Sequence, residues 1–118
     1  MRTIIAGSRS ILRMSIVEFA VIASEIIPTV VLSGTAAGID KLGESWARQN
    51  NIPIERYPAD WDTFGKRAGY VRNEIMADHA EALIAIHDGY SKGTRHMIDL
   101  ARKRNLRVFI YLVQNEIV

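Results

Sequence analysis

What most constrains this chain is a repeated switch of hydrophobic period. Short runs that are apolar at nearly every position alternate with stretches that are apolar every three or four residues. The runs are Thr3 to Ala6, Thr29 to Ser33, Ile54 to Tyr57, Ala82 to Ile86 and Val108 to Val113. The stretches between them have helical spacing, giving the order βαβαβαβαβ. A strand apolar throughout belongs to a parallel sheet covered on both faces. Right-handed crossovers then wind the chain to both sides. The expectation is an α/β, Rossmann-like, doubly wound parallel sheet of five strands, order 3-2-1-4-5, with helices on both faces. A chain of 118 residues fits one such domain, residues 1–118.

Local signals place the helices. Ser15, with Glu18 three residues on, has capping-box spacing for the first. Ile16, Phe19, Ala20, Ala23, Ile26 and Ile27 read as its buried face, and Pro28 as its stop. The second runs from about Ile39 to Gln49, with Leu42, Trp46 and Ala47 on one side. Pro58 to Gly69 reads as a long polar loop holding Trp61 and Phe64, before a helix through Val71, Ile75 and Met76. The last helix, Thr94 to Arg104, presents Met97, Ile98 and Ala101.

Charge and composition remove several function classes. Fifteen basic against thirteen acidic side chains leave a net charge of +2, too little to mark a nucleic-acid binder. Arg102, Lys103, Arg104 and Arg107 read as the solvated end of a helix, where cations suit the dipole. No cysteine is present, so disulfides and thiolate metal sites are excluded. His79, His87 and His96 lack metal-ligand spacing, and no metal or cofactor is expected. The opening Met-Arg-Thr-Ile-Ile-Ala-Gly is too short for a signal segment, and no run nears the ~18 apolar residues of a membrane span. A cytoplasmic protein without membrane contact is expected.

Chemistry concentrates where the strands end. The first ends in Gly7-Ser8-Arg9-Ser10, the second in Gly34-Thr35-Ala36-Ala37-Gly38, the fourth in Asp88-Gly89-Tyr90-Ser91-Lys92-Gly93-Thr94. Parallel strands put all three loops on one rim, at the switch point where ligands bind. Glycine allows close backbone approach, and a following helix N-terminus offers free N–H groups to an anion. The Lys92-Gly93-Thr94 segment is the best phosphate cradle, with Ser91 and Thr94 as hydroxyl donors. Arg9 is a candidate bidentate clamp. Asp40 either reads a ribose hydroxyl or serves the helix dipole. Trp61, behind Asp60, is either a lid over a planar ligand or a plug on the core. Arg72 and Asn73 sit near a helix start and point to the same rim. His87 reads as a core histidine; His96, one turn into the phosphate-facing helix, is the one histidine that is a candidate for function. No loop matches the P-loop or the G-x-G-x-x-G pattern, which disfavours a triphosphatase and an ordinary dehydrogenase.

Taken in order, several motifs resemble the DUF2493 family of the SLOG superfamily. They are Gly7-Ser8-Arg9, Gly34-Thr35-Ala36-Ala37-Gly38-Ile39-Asp40, Trp46-Ala47, Pro58-Ala59-Asp60-Trp61, Gly65-Lys66, Gly69 with Arg72-Asn73, and Gly93-Thr94. The resemblance covers nearly the whole chain. It implies a Rossmann-like fold that binds nucleotides or nucleotide-derived ligands and commonly assembles as homo-oligomers. Relatives in the wider superfamily include phosphoribohydrolases, single-strand DNA-binding DNA-processing proteins and nucleotide sensors of bacterial and phage conflict systems. The phosphoribohydrolases carry Gly-Gly-x-Gly-Thr-x-Glu, and here the glutamate position falls on His96. That departure tilts the expectation from hydrolysis toward capture. The leading expectation is a binding protein for a phosphorylated, ribose-containing ligand, for sensing or sequestration. N-glycosidic cleavage of a nucleoside monophosphate and single-stranded DNA binding are the alternatives. The residues expected at the site are Gly7, Ser8, Arg9, Gly34, Ala36, Gly38, Asp40, Asp60, Trp61, Arg72, Asn73, Asp88, Gly89, Ser91, Lys92, Gly93 and Thr94, with no catalytic residue assigned. An interface through Val108 to Val113 and the tail Ile117-Val118 is a further expectation.

Overall fold

The computed structural model describes residues 1–114. Strands β1 (Arg2–Gly7), β2 (Val30–Ser33), β3 (Ile54–Arg56), β4 (Ala82–His87) and β5 (Arg107–Leu112) form one sheet of order β3-β2-β1-β4-β5. Every pairing is parallel. Helices α1 (Met14–Ser24), α2 (Ile39–Gln49), α3 (Trp61–Phe64), α4 (Ala68–His79) and α5 (Lys92–Lys103) connect them. This is the doubly wound α/β fold expected from the period pattern.

The two faces follow from the pleat, which sends successive side chains to opposite sides. Ile5, Val31, Ile84 and Ile86 join Val17, Ala20, Ile39 and Ala47, which places α1 and α2 on one face. Ile4, Leu32, Leu83 and Ala85 join Met76, Ala77, Met97 and Ile98, which places α4 and α5 on the other. β4 is buried at all six positions. β3 and the edge strand β5 are only half-buried, because no strand lies beyond either.

Four local expectations change. α1 starts at Met14 after Arg13, with no side-chain cap, so the Ser15–Glu18 spacing is not a capping box. Its buried face is Val17, Ala20, Val21 and Ser24, while Phe19, Ala23 and Ile27 are exposed. The helix ends well before Pro28. Ser24 donates to the Val21 carbonyl at 2.6 Å and accepts from the Ile26 amide at 3.0 Å, and Glu25 turns left-handed with φ 59°. Finally, the stretch after Pro58 is not an open loop. Asp60 accepts from the Thr63 amide at 3.1 Å and so caps α3, a 3₁₀ turn covers Gly65–Arg67, and α4 follows at once. No helix among the described residues is long and apolar enough to cross a membrane.

Candidate functional site

All strands point the same way, so their C-terminal ends share a rim. The β1 loop enters it between β2 and β4, where the winding reverses. Gly7 is required there, since a Cβ would run into the Ile86 carbonyl and sit 2.9 Å from Ile39. The next residue, Ser8, is fully buried. Its amide donates to Ile86 at 3.0 Å and its hydroxyl accepts from the Asp88 amide at 3.0 Å, which ties the first loop to the third. The Asp88 carboxylate in turn accepts from the amides of Tyr90 at 2.8 Å and Ser91 at 3.1 Å. These bonds, Tyr90's above all, outweigh desolvation and hold its pKa below the usual range.

The second loop is gripped from both sides. Asp40, in the first turn of α2, is 6% exposed and accepts from the Ala36 amide at 3.1 Å. Arg72 of α4 donates to the Gly34 carbonyl. A Cβ on Gly34 would lie 2.8 Å from both Arg72 Nη1 and Asp40 Oδ2, so a larger residue there must displace one of these side chains. Burial raises the Asp40 carboxyl to about 6, against the backbone hydrogen bonds and the Arg72 charge, which lower it. Burial lowers Arg72; Asp40 opposes this and the neighbouring Arg9 charge adds to it. A guanidinium keeps its charge through such a shift.

Asn73 carries the connection on to the third loop. Its Oδ1 accepts from Arg72 Nε at 3.0 Å. Its Nδ2 donates to the Gly93 carbonyl at 3.3 Å and lies 3.2 Å from His96 Nδ1. Because Nδ2 only donates, His96 Nδ1 accepts and the ring proton sits on Nε2. Burial also lowers the His96 pKa, which favours the neutral ring. Two adjacent residues of α4 therefore fasten the Gly34 loop to the start of α5.

Two cavities of about 90 Å³ each adjoin across this arrangement. The first lies between Gly7, Asp40, Asn73 and the start of α5 at Ser91, Gly93 and Thr94, with Ala6, Met76 and Met97 as floor. The second lies between Gly34, Thr35, Ala59 and Trp61. Arg9, Ala36 and Arg72 line both, so two arginines belong to the common wall. At the head of α5, Ser91 Oγ accepts from the Thr94 amide at 3.3 Å and the Thr94 hydroxyl at 2.9 Å. That leaves the first-turn amides of Lys92 and Gly93 without intrahelical acceptors.

The expected residues divide accordingly. Gly7, Arg9, Gly34, Ala36, Asp40, Trp61, Arg72, Asn73, Ser91, Gly93 and Thr94 line the cavities. Ser8, Gly38, Asp60, Asp88, Gly89 and Lys92 do not. Ser8 and Asp88 brace the loops, Gly38 precedes α2 with φ 76°, and Asp60 caps α3. Gly89 (φ 92°) packs toward Leu112, and Lys92 is exposed. His96 and Tyr90 line neither cavity, and His87 is a buried histidine whose Nδ1 accepts from Gly89 at 3.3 Å. Sequence reading passed over Ala6, Met76, Met97, Thr35 and Ala59. Met76 and Met97 stand three residues after Asn73 and Thr94, a helical spacing that marks them as lying beneath those side chains. Nothing comparable marks the others. Among the described residues no cluster of ligating side chains is suited to a metal.

Comparison with known proteins gives four findings. Gene 61 protein of Mycobacterium phage D29 is 39% identical over 85 residues, covering 67% of this chain and 68% of that protein. The uncharacterized SPbeta prophage-derived protein YoqJ of Bacillus subtilis (strain 168) is 49% identical over 35 residues, covering 30% of this chain and 20% of that one. DNA processing protein A (DprA) from Streptococcus pneumoniae has the same fold, with a TM-score of 0.73 over 92% of this chain at 20% identity. The chain spans about half of DprA's length, 49%. The family described as "YAcAr: YspA, cpYpsA-related SLOG family" matches residues 1–64, which hold β1, β2 and their glycine loops. With that match and the phage relative, the chain belongs to the YspA, cpYpsA-related SLOG family.

Proposed function

We propose that the crevice binds a nucleotide or nucleotide-derived ligand, for sensing or sequestration. The observation that carries this is the wall shared by both cavities. Arg9 and Arg72 converge there, and neither forms an ion pair among the described residues. Two neighbouring cations, with the buried Asp40 carboxylate as the anion near Arg72, suit a phosphate, which guanidinium groups bind in bidentate geometry. The amides at the start of α5 add donors from the other side. Asp40 supplies a carboxylate for a ribose hydroxyl, and Trp61, 54% exposed beside the second cavity, a face for a base.

The test is thermal unfolding with AMP, ADP, ADP-ribose and a cyclic mononucleotide. A saturating ligand raises the melting temperature, because it binds only the folded state. Arg72→Ala abolishes the rise. A flat response to all four ligands overturns the proposal.

A second reading, N-glycosidic cleavage of a nucleoside monophosphate, draws on Asp40. A carboxyl raised to about 6 inside the cavity suits general acid work near neutral pH. Free base released from AMP by the wild type but not by Asp40→Asn supports it. Binding without release excludes it.

A further inference from the structure

His96 lines neither cavity, yet it stands behind the side chain that orients Arg72. α4 and α5 pack on the same face of the sheet. Helical spacing puts Tyr70 and Asn73 three residues apart on α4, and both meet His96 of α5. Tyr70 holds the ring edge-on, with centroids 4.5 Å apart. Asn73 is 6% exposed, and both protons of its Nδ2 are in use, one on the Gly93 carbonyl and one on His96 Nδ1. Its carbonyl oxygen accepts from Arg72 Nε. Arg72 and Gly93 together fix which end of the amide is which, since a guanidinium only donates and a carbonyl only accepts. Turning the amide over would set donor against donor at Arg72 and acceptor against acceptor at Gly93.

We propose that His96 is a positioning residue for the crevice: through Asn73 it holds Arg72 against the Gly34 loop, and a proton on its ring breaks that hold. An imidazolium ring has no acceptor, so a proton at Nδ1 meets the Nδ2 proton of Asn73. The amide has no other orientation to take, and a buried donor left unmet is costly. Ring or amide must move away, and Arg72 loses the oxygen that orients its Nε. Arg72 then keeps one anchor, the Gly34 carbonyl, in place of two. Glu74 of α4 and Asp99 of α5 draw a proton toward the ring, and Lys103 of α5 repels it. Burial outweighs the two acids and keeps the midpoint below the ordinary 6.5. The consequence for affinity rests on the nucleotide reading above. Ligand binding weakens as His96 protonates, although the added positive charge alone would strengthen it. The orienting role itself needs no ligand.

NMR titration of the full chain tests this without a ligand. Asp40 titrates at about 6 beside Arg72, so the measurement uses Asp40→Asn. There the Arg72 Nε–H resonance moves along the same curve as the His96 ring, and the neutral ring is the Nε2–H tautomer. His96 is intact in this titration, so the folding of a variant is not at stake. Adding His96→Asn, which keeps an acceptor at the δ position but takes no proton, makes the Arg72 resonance independent of pH between about 5 and 8. An Arg72 resonance that ignores His96 protonation, or a ring found as the Nδ1–H tautomer, overturns the proposal whether or not nucleotides bind. Calorimetric titration with ADP-ribose, whose phosphates keep a constant charge over this range, reads the effect on affinity. His96→Leu, which cannot accept, weakens binding on the order of tenfold. His96→Asn binds like the wild type at pH 8 and escapes the part of the loss at low pH that follows the His96 ring. An affinity that rises as His96 protonates overturns the proposal too. A responsive Arg72 resonance with a flat melting response to every nucleotide overturns the nucleotide reading alone.

Discussion

Single residues in the crevice divide between holding the protein together and leaving room in it. Gly7 and Gly34 are hemmed in by protein atoms, whereas a Cβ on Gly93 would meet nothing within 4 Å. Gly93 sits in the first turn of α5, where glycine weakens the helix relative to alanine. Gly93→Ala should therefore leave stability unchanged or raise it by up to ~1 kcal/mol, while weakening nucleotide binding. Urea unfolding and calorimetric titration on one preparation read both effects. Gly34→Ala should instead lose stability, because its Cβ displaces Arg72 or Asp40. Asp40 carries a pH signature. Its pKa is raised from 3.8 to about 6 on folding, so its contribution to stability is fully present below pH 4 and is lost as pH rises through 6. Asp40→Asn should stabilise the unliganded protein at pH 8 by on the order of 2–3 kcal/mol, since one pKa unit is worth about 1.4 kcal/mol. The gain should vanish below pH 4 in melts recorded across the range.

At the scale of elements, α2 is held to the sheet by a buried charge. Glu44 is 2% exposed; it accepts from Ser33 Oγ at 2.6 Å and Arg56 Nε at 2.9 Å, with Lys41 Nζ at 3.7 Å. Burial pushes its pKa up, but these partners outweigh burial and leave it lowered. The stability it confers is present above the ordinary carboxylate range and is lost as pH falls. Glu44→Gln should cost roughly 1–3 kcal/mol at pH 7, in line with hydrogen bonds to charged groups. The gap from wild type should close toward pH 3, as paired denaturation curves would record. Element boundaries were legible where backbone chemistry alone decides them. The glycines closing β1 and β2 are such places, whereas α5 opens at Lys92 behind a Ser91 cap, two residues before the expected start at Thr94. α1 was not legible in this way. Apolar side chains lie on more than one side of it, so its sequence contains two candidate faces, and only the sheet chose Val17 and Val21 over Phe19 and Ala23.

For the whole molecule, the sheet order predicts where stability resides. β4 lies between β1 and β5 with both faces covered, whereas β5 is an edge strand covered in part. Ile84 is fully buried and Ile110 half-buried. Ile84→Ala should cost 2–5 kcal/mol, as in other fully packed cores, and Ile110→Ala clearly less. Chemical denaturation of the two variants under one set of conditions compares them. The expected interface through β5 and its tail is legible only in part. Ile117 and Val118 lie outside the described residues, and Leu112 at the end of β5 is 54% exposed.

The sequence by itself determined the parallel sheet, its order and the shared rim of glycine loops. It could do so because hydrophobic period and turn chemistry are local properties, and parallel connections allow few windings. Tertiary structure alone decided which rim residues share a space. Lys92 and Asp60 are as polar as Arg9 and Asp40, yet they turn outward or cap a helix. Arg72 reaches Gly34 from 38 residues away, a contact no local pattern encodes. The crevice is a product of such long-range contacts, whereas its glycines are already evident in the order of the letters.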